Sequence, residues 1–430
     1  MSAHLFDEFP KISARQWKQK IQMDLKGEPY ETLITRMPEG IDMRPFYHRD
    51  EYLSLPDTSF PRDFYIVSSL REPASVEAVD RILDRETGLV EVNLPTPLNP
   101  ADLEKYRDRI YLNASLDRID EARLWLDAGY KVFFAPLTDF TRLGNWSVRE
   151  PWDEVLKILL NTYPNAFVRA GGDLFADSGA NLAQQIAYTL AQVNEYLRRL
   201  DAGHLHQIRL DTAVGSRYLA EIAKLRALRF LWEDQHASPA WIRSRPALRN
   251  KSFLDAYTNM LRTGMEVMAA MQGGSDEIAN LPYDYFTADN PDSQRLADNQ
   301  LILLREEARM EGLHASRGSY FFDEMSYRMA AKARDILEQI EKGGGYLRQL
   351  QKGTIQSQIA RSAAAEQEKF DRGEIILIGV NAYPNPADRP GRPLPRAFAL
   401  RRSGKTLIRP VMPKRLAEKI EKEYLKKAED

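Results

Sequence analysis

The 430-residue sequence predicts a (β/α)8 barrel, the α/β fold in which eight parallel strands alternate with eight helices. Three observations carry that expectation. Short apolar runs rich in β-branched and aromatic residues recur from about residue 63. Amphipathic stretches with helical periodicity separate them. The alternation extends over about 250 residues, the usual length of such a barrel. A doubly wound open sheet is the competing arrangement, and it is disfavoured because no glycine-rich dinucleotide loop follows an early strand.

The expected strands, in order, are 64–69 (FYIVSS), 89–94 (LVEVNL), 110–115 (IYLNAS), 131–135 (KVFFA), 166–171 (AFVRAG), 207–212 (QIRLDT), 246–250 (PALRN, the weakest) and 277–281 (EIANL). The helical stretches between them are 75–85, 117–129, 151–163, 181–200, 216–235 and 255–274. The best defined is 181–200, where Leu182, Ile186, Leu190, Val193 and Leu197 fall on one face. Ahead of the barrel, residues 1–62 read as an extended arm. It holds one amphipathic helix between a Ser13 cap and Gly27, and then an aromatic, proline-rich segment of the kind that wraps its own domain or a partner. Residues 63–345 form the barrel unit, closed by a long charged helix at 325–345. Residues 346–430 form a C-terminal extension with a strand candidate at 374–383, a proline-rich linker at 384–396 and a short polar helix at the end.

Composition narrows the function. Sixty basic and 62 acidic residues give a formal charge of -2, which argues against a nucleic-acid surface. Without cysteine there are no disulfides, thiolate metal sites or cysteine nucleophiles. No apolar run approaches the ~20 residues needed to span a bilayer, and the first residues lack a signal-type apolar segment. The expectation is a cytoplasmic chain without membrane or nucleic-acid partners.

Chemistry-bearing patterns are few. The loop Arg169–Asn181 (RAGGDLFADSGAN) follows the fifth expected strand, at the face where barrel enzymes place their sites. Its Asp173 and Asp177, with Asp211 at the end of the sixth strand, have the composition of a general acid–base set. The opposing reading makes Asp177 a helix cap and Asp173 and Asp211 loop-orienting groups. His204 and His206 have strand-pair spacing but lie at the opposite face with no third ligand, so they read as a solvated pair. Ser403–Thr406 (SGKT) resembles the end of a phosphate loop, but Ala399 stands where its first glycine belongs. Glu221, Lys224, Arg226 and Arg229 read as a solvated or interface face of a barrel helix, and Met260, Met265, Met268 and Met271 as core filling. Phe133, Phe134, Phe167 and Leu210 point to a filled barrel.

Longer stretches carry a resemblance. Residues 221–232 (EIAKLRALRFLW), 249–274 (RNKSFLDAYTNMLRTGMEVMAAMQGG), 295–308, 318–345 and 353–383, with 39–47 (EGIDMRPFY) in the arm, resemble the methylmalonyl-CoA mutases. The resemblance implies a barrel threaded by coenzyme A and faced by a cobalamin-binding domain. Adenosylcobalamin there supplies the radical for interconverting methylmalonyl-CoA and succinyl-CoA.

Three departures follow from the same comparison. The family's cobalt-ligating histidine loop has no counterpart, since His314 is the last histidine. Aligning Asp177–Asn181 on the family's Glu-Ala-Gly-Ala-Thr puts Asp173 and Leu174 at its substrate-contacting Tyr-His pair. The family's Arg-Gln-Tyr-Ala-Gly-Phe segment is missing, and Arg245–Lys251 replaces its His-Ser-Gln-Thr-Ser-Gly-Trp stretch. The resemblance is therefore to the family's small, non-catalytic subunit. It implies no catalytic, cofactor-binding or metal residues in this chain, a large catalytic subunit as partner in a heterodimer, and adenosylcobalamin in that partner. The alternative is the acyl-CoA barrel of a split mutase whose cobalamin domain lies on a separate chain.

Overall fold

The computed structural model describes residues 9–70, 74–84, 88–287, 290–310, 312, 315–393, 397–398 and 404–429. His4, His314, Ala399 and Ser403 lie outside the described residues.

Eight strands close into one parallel barrel in sequence order. They are β1 (Tyr65–Ser69), β2 (Leu89–Asn93), β3 (Ile110–Ala114), β4 (Lys131–Phe134), β5 (Ala166–Gly171), β6 (Ile208–Val214), β7 (Ile242–Pro246) and β8 (Glu277–Ala279), with β8 pairing back to β1. The expected barrel is present, and the open sheet is excluded by that closing pair. One strand is displaced: β7 is Ile242–Pro246, so most of the expected 246–250 segment is the loop after it. The displacement arises because β7 reads Ile-Arg-Ser-Arg-Pro, and its inward arginines conceal the strand from a reading based on apolar runs.

The helices are α1 (Ala14–Asp24), α2 (Val76–Leu83), α3 (Ile119–Asp127), α4 (Pro136–Leu143), α5 (Trp152–Thr162), α6 (Asp173–Asp177), α7 (Leu182–Leu200), α8 (Tyr218–His236), α9 (Thr258–Gln272) and α10 (Pro291–Glu306). Beyond the ring come α11 (Tyr320–Lys342), α12 (Tyr346–Gln351), α13 (Thr354–Asp371) and α14 (Glu418–Glu429). Ser13 caps α1 with a reciprocal Gln16 contact, as expected. Asn181 caps α7 in the same way, which corrects the assignment of a capping role to Asp177. Residues 374–383 are not a strand: a single bridge joins Ile378 to Ala382, and Leu377 and Val380 anchor a turn. No described helix is long and apolar enough to cross a membrane.

The long helix α11 packs across α7 and α8. Glu221, Lys224, Arg226 and Arg229 are buried rather than solvated. Each charge has a partner: Lys224 pairs with Glu221, Arg226 with Asp323 of α11, and Arg229 with Asp276 at 2.6 Å and with the Gly274 carbonyl at 2.7 Å. Buried charges persist only when matched in this way. Of the α9 methionines, Met271 is buried and Met265 faces solvent, so core filling holds for the first and fails for the second.

The arm turns back on its own barrel. Tyr47 meets Phe321 edge-on at 5.1 Å, and Arg44 reaches Glu324. Its Glu39 carboxylate is fully covered and accepts from both Arg217 guanidinium nitrogens, at 2.6 and 3.0 Å, and from the free Leu182 N–H at the start of α7 at 2.8 Å. Burial pushes this carboxyl up, but the Arg217 hydrogen bonds and charge and the Leu182 N–H outweigh it and hold the group below its usual range. Glu39→Gln removes the charge that Arg217 and the helix start require. Trypsin cleavage at Arg36 is expected to accelerate at least about tenfold, for a loss of a few kcal/mol in local stability. An unchanged cleavage rate at pH 7.5 would show that the arm is held elsewhere.

Candidate functional site

Inside the barrel, alternate residues of each strand point to the axis. The lower layer is apolar and aromatic. Val67, Leu89, Tyr111, Phe133 and Ala279 form a cluster separate from the mantle between strands and helices, with Phe167 packed against it. Phe133 lies 5.0 Å from Tyr111 and 5.2 Å from Phe167, ring centre to ring centre. Of the four bulky residues marked in the sequence, Phe133 and Phe167 thus fill the barrel, whereas Phe134 and Leu210 belong to the outer mantle. Below this layer, Arg209 stacks on Phe167 at 4.5 Å and on Trp241 at 5.3 Å, closing the N-terminal end.

Above the aromatics lies a layer of buried charge. Glu91 accepts from Arg169 at 2.8 Å through one oxygen and from Arg243 through the other. The Arg169 guanidinium also rests on the Phe133 ring at 4.2 Å. Burial raises the Glu91 carboxyl, but Arg243 and Arg169 overcome it and hold the group at about 2. Asp211 is placed less well. Its nearest cations, Arg169 and Arg243, lie at 3.5 and 4.0 Å, and one of its oxygens has no partner among the described residues. Burial therefore dominates and lifts its carboxyl to about 6, against the pull of the two arginines.

The third layer is the loop after β5. Arg245 of β7 donates to Asp173 from Nε at 3.1 Å and Nη2 at 2.8 Å, and to Asp177 from Nη2 at 2.6 Å. The Asp173 second oxygen accepts the Leu174 N–H, and that of Asp177 accepts the Leu248 N–H. Burial raises Asp173, but the Arg245 charge and hydrogen bonds outweigh it and leave the group below its usual range. For Asp177 burial wins, and its carboxyl is raised despite Arg245. Leu174 is buried, packs with the mantle, and borders the mouth with a side chain that has no donor. Gly172 is required by close approach: a Cβ there would stand 2.8 Å from the Asp211 carbonyl oxygen. The glycines of this loop therefore serve strand–helix packing and give no sign of a ligand cradle.

These layers leave a cavity of ≈ 710 Å³ at the C-terminal mouth, bordered by Asn93, Asn113, Arg169, Asp173, Asp211, Arg245 and Tyr285, with Pro413 of the C-terminal extension at its rim. The structure brings Asp173 and Asp177 together through Arg245 and sets Asp211 one layer deeper. All three are committed to internal partners or burial, and among the described residues no histidine borders the cavity. His204 and His206 are remote from it, in the turn before β6. His206 is exposed, but His204 is buried against Gln207 at 2.8 Å, so the solvated-pair reading fails for His204. Among the described residues no group of three or more potential ligands is placed to hold a metal. Sequence reasoning missed Glu91, Arg169, Arg243 and Arg245. The available signal was a charge at alternate positions within otherwise apolar strands, as in LVEVN and AFVRAG.

Two outcomes follow. Arg245→Ala leaves the buried Asp177 and the partly buried Asp173 without a cation, and urea unfolding at pH 7.5 should show a loss of about 3–5 kcal/mol. Asp211→Asn acts the other way. The folded chain holds a proton on Asp211 up to about pH 6, above the value of an unfolded aspartate, so stability falls as pH rises from about 4 to 6 and stays lower above that. The amide cannot ionise, so the variant should be more stable than wild type by about 1–3 kcal/mol at pH 7.5 and lose that advantage near pH 4. A variant destabilised equally at both pH values would refute the assignment.

Residues 161–424 match the family model described as methylmalonyl-CoA mutase. A methylmalonyl-CoA mutase small subunit of Porphyromonas gingivalis is 28% identical over 89% of this chain and 71% of its own length. A methylmalonyl-CoA mutase of Cereibacter sphaeroides is 32% identical over 48% of this chain, and a methylmalonyl-CoA mutase large subunit of Propionibacterium freudenreichii subsp. shermanii is 30% identical over 48%. The match spans 32% and 31% of the lengths of those two proteins.

Proposed function

Because the chain belongs to the methylmalonyl-CoA mutase family, we propose that it is the small, non-catalytic subunit of a heterodimeric, adenosylcobalamin-dependent mutase. Its role is to stabilise a large subunit that interconverts methylmalonyl-CoA and succinyl-CoA. The filled barrel is the observation that carries this reading. A coenzyme A arm threaded along the axis would need the space held by Tyr111, Phe133 and Phe167 and would have to break the Glu91–Arg169–Arg243 layer. At the mouth, Asp173 and Leu174 provide neither a free donor for a thioester oxygen nor a free acid–base group. Likeness to a chain named as a small subunit agrees with this role.

The residues present do not fit adenosylcobalamin. Among the described residues no imidazole stands at the mouth to meet cobalt, and its cavity is lined by the Arg245 ion pairs and by Pro413. We assign the cofactor to the large subunit. Exposed Trp17 and Met23 on α1 support a contact of the arm with that subunit. The remaining mouth cavity is the one observation that favours the acyl-CoA barrel of a split mutase instead.

Purified alone, the chain should carry no cobalamin absorbance and bind acyl-CoA no more tightly than millimolar. Co-expressed with a large subunit, it should co-purify and raise that subunit's thermal midpoint. Tight cobalamin uptake by the isolated chain would overturn the proposal, and micromolar acyl-CoA binding would favour the split-mutase alternative.

A further inference from the structure

The helix α9 presents an unusual face. Tyr257, just before it, and Leu261 and Met265 within it recur every fourth residue, each more than half exposed. Beside them the 374–383 turn presents Ile376, Ile378 and Tyr383, also more than half exposed. The two segments are fastened together. Arg262 of α9 donates to the Ile378 carbonyl, and Gly379 packs so closely on the Asp255 side chain that a Cβ would not fit.

The turn itself is rigidly built. Leu377 and Val380 point inward onto Phe370 and Leu416, so the intervening Ile378 must point outward. Asn381 ties the turn through the Leu377 N–H at 2.7 Å and the Ile375 carbonyl at 2.8 Å. The exposed side chains therefore sit on a backbone that is already ordered, which lowers the entropic cost of covering them.

Six such side chains expose on the order of 700 Å², larger than the usual apolar patch on a monomer and close to the ~800 Å² that one partner contributes to a standard interface. Both segments lie within the 161–424 region that matches the family model, so a homologous partner carries the equivalent elements. Two chains on one scaffold can close a pair through equivalent faces around a pseudo-twofold axis, whereas unlike faces leave an open end.

We infer that the α9 face and the 376–383 turn form the principal docking surface for the large subunit. This inference rests on the proposed role as a small subunit and names the surface that performs it.

The test uses the full chain co-expressed with a large mutase subunit. The variants are Leu261→Asp and Ile378→Asp, with Ile158→Asp on α5, another exposed apolar position, as the control. Because all three sites are exposed, circular dichroism and the urea midpoint of the isolated chain should match wild type. Leu261→Asp and Ile378→Asp should each weaken the complex at least about tenfold by titration calorimetry, and Ile158→Asp should leave it unchanged. Wild-type pairing that survives both variants overturns the surface while the small-subunit role stands. Failure of the wild-type chain to pair removes the role and this surface together. Self-association of the isolated chain that is lost in the same variants would assign the face to a second copy and overturn the large subunit as occupant.

Discussion

A barrel interior excludes water, so a charge placed there must be answered by another charge or a hydrogen bond. The structure turns on how this chain meets that demand. Glu91 joins β2 to β5 and β7 through Arg169 and Arg243, and Arg245 joins β7 to the loop after β5 through Asp173 and Asp177. Each cross-link spans the barrel rather than running along its wall, so together they fix the strands against one another and set what stands at the mouth. The aromatic layer below is compatible with them because a guanidinium lies flat on a ring, as Arg169 does on Phe133.

The same arrangement explains how the carboxylates at the mouth are held. General acids and bases need an available lone pair or proton at a surface that substrate can reach. Here the mouth carboxylates accept from Arg245 and from backbone N–H groups, and Leu174 brings no polar side-chain atom. Asp211 is the exception, since its cations stand too far away to satisfy it and one oxygen is left over. Outside the barrel, α11 covers α7 and α8; of the α8 charges, Arg226 ties to that outer layer through Asp323, while Arg229 ties inward to Asp276 beside β8. Apolar surface remains instead on α9 and the 376–383 turn, at the edge of the molecule.

Much of this was legible in the sequence, and the failures have definite causes. Seven strands were expected where they lie, because apolar runs such as LVEVN and KVFFA advertise themselves. The eighth, Ile242–Pro246, was misplaced because a strand with two inward arginines looks like a polar loop until its partners are known. The loop Arg169–Asn181 lies at the mouth, as its place after the fifth strand predicts. Nothing local revealed that Arg245, 72 residues away, would hold Asp173. The α8 charges follow the same rule: helical periodicity marks a polar face but does not show that Asp276 and Asp323 stand opposite Arg229 and Arg226.

By itself the sequence determined the barrel, the arm, the location of the mouth and the family scaffold, because strand and helix periods and long ordered motifs are properties of neighbouring residues. Only the tertiary structure decided which charges are buried and with whom, which large side chains fill the axis, and which apolar residues of α9 stay uncovered. Those outcomes depend on pairs far apart in the chain. In a dry interior the cost of an unmatched charge is set by the residue that arrives opposite it, and the residue alone does not carry that information.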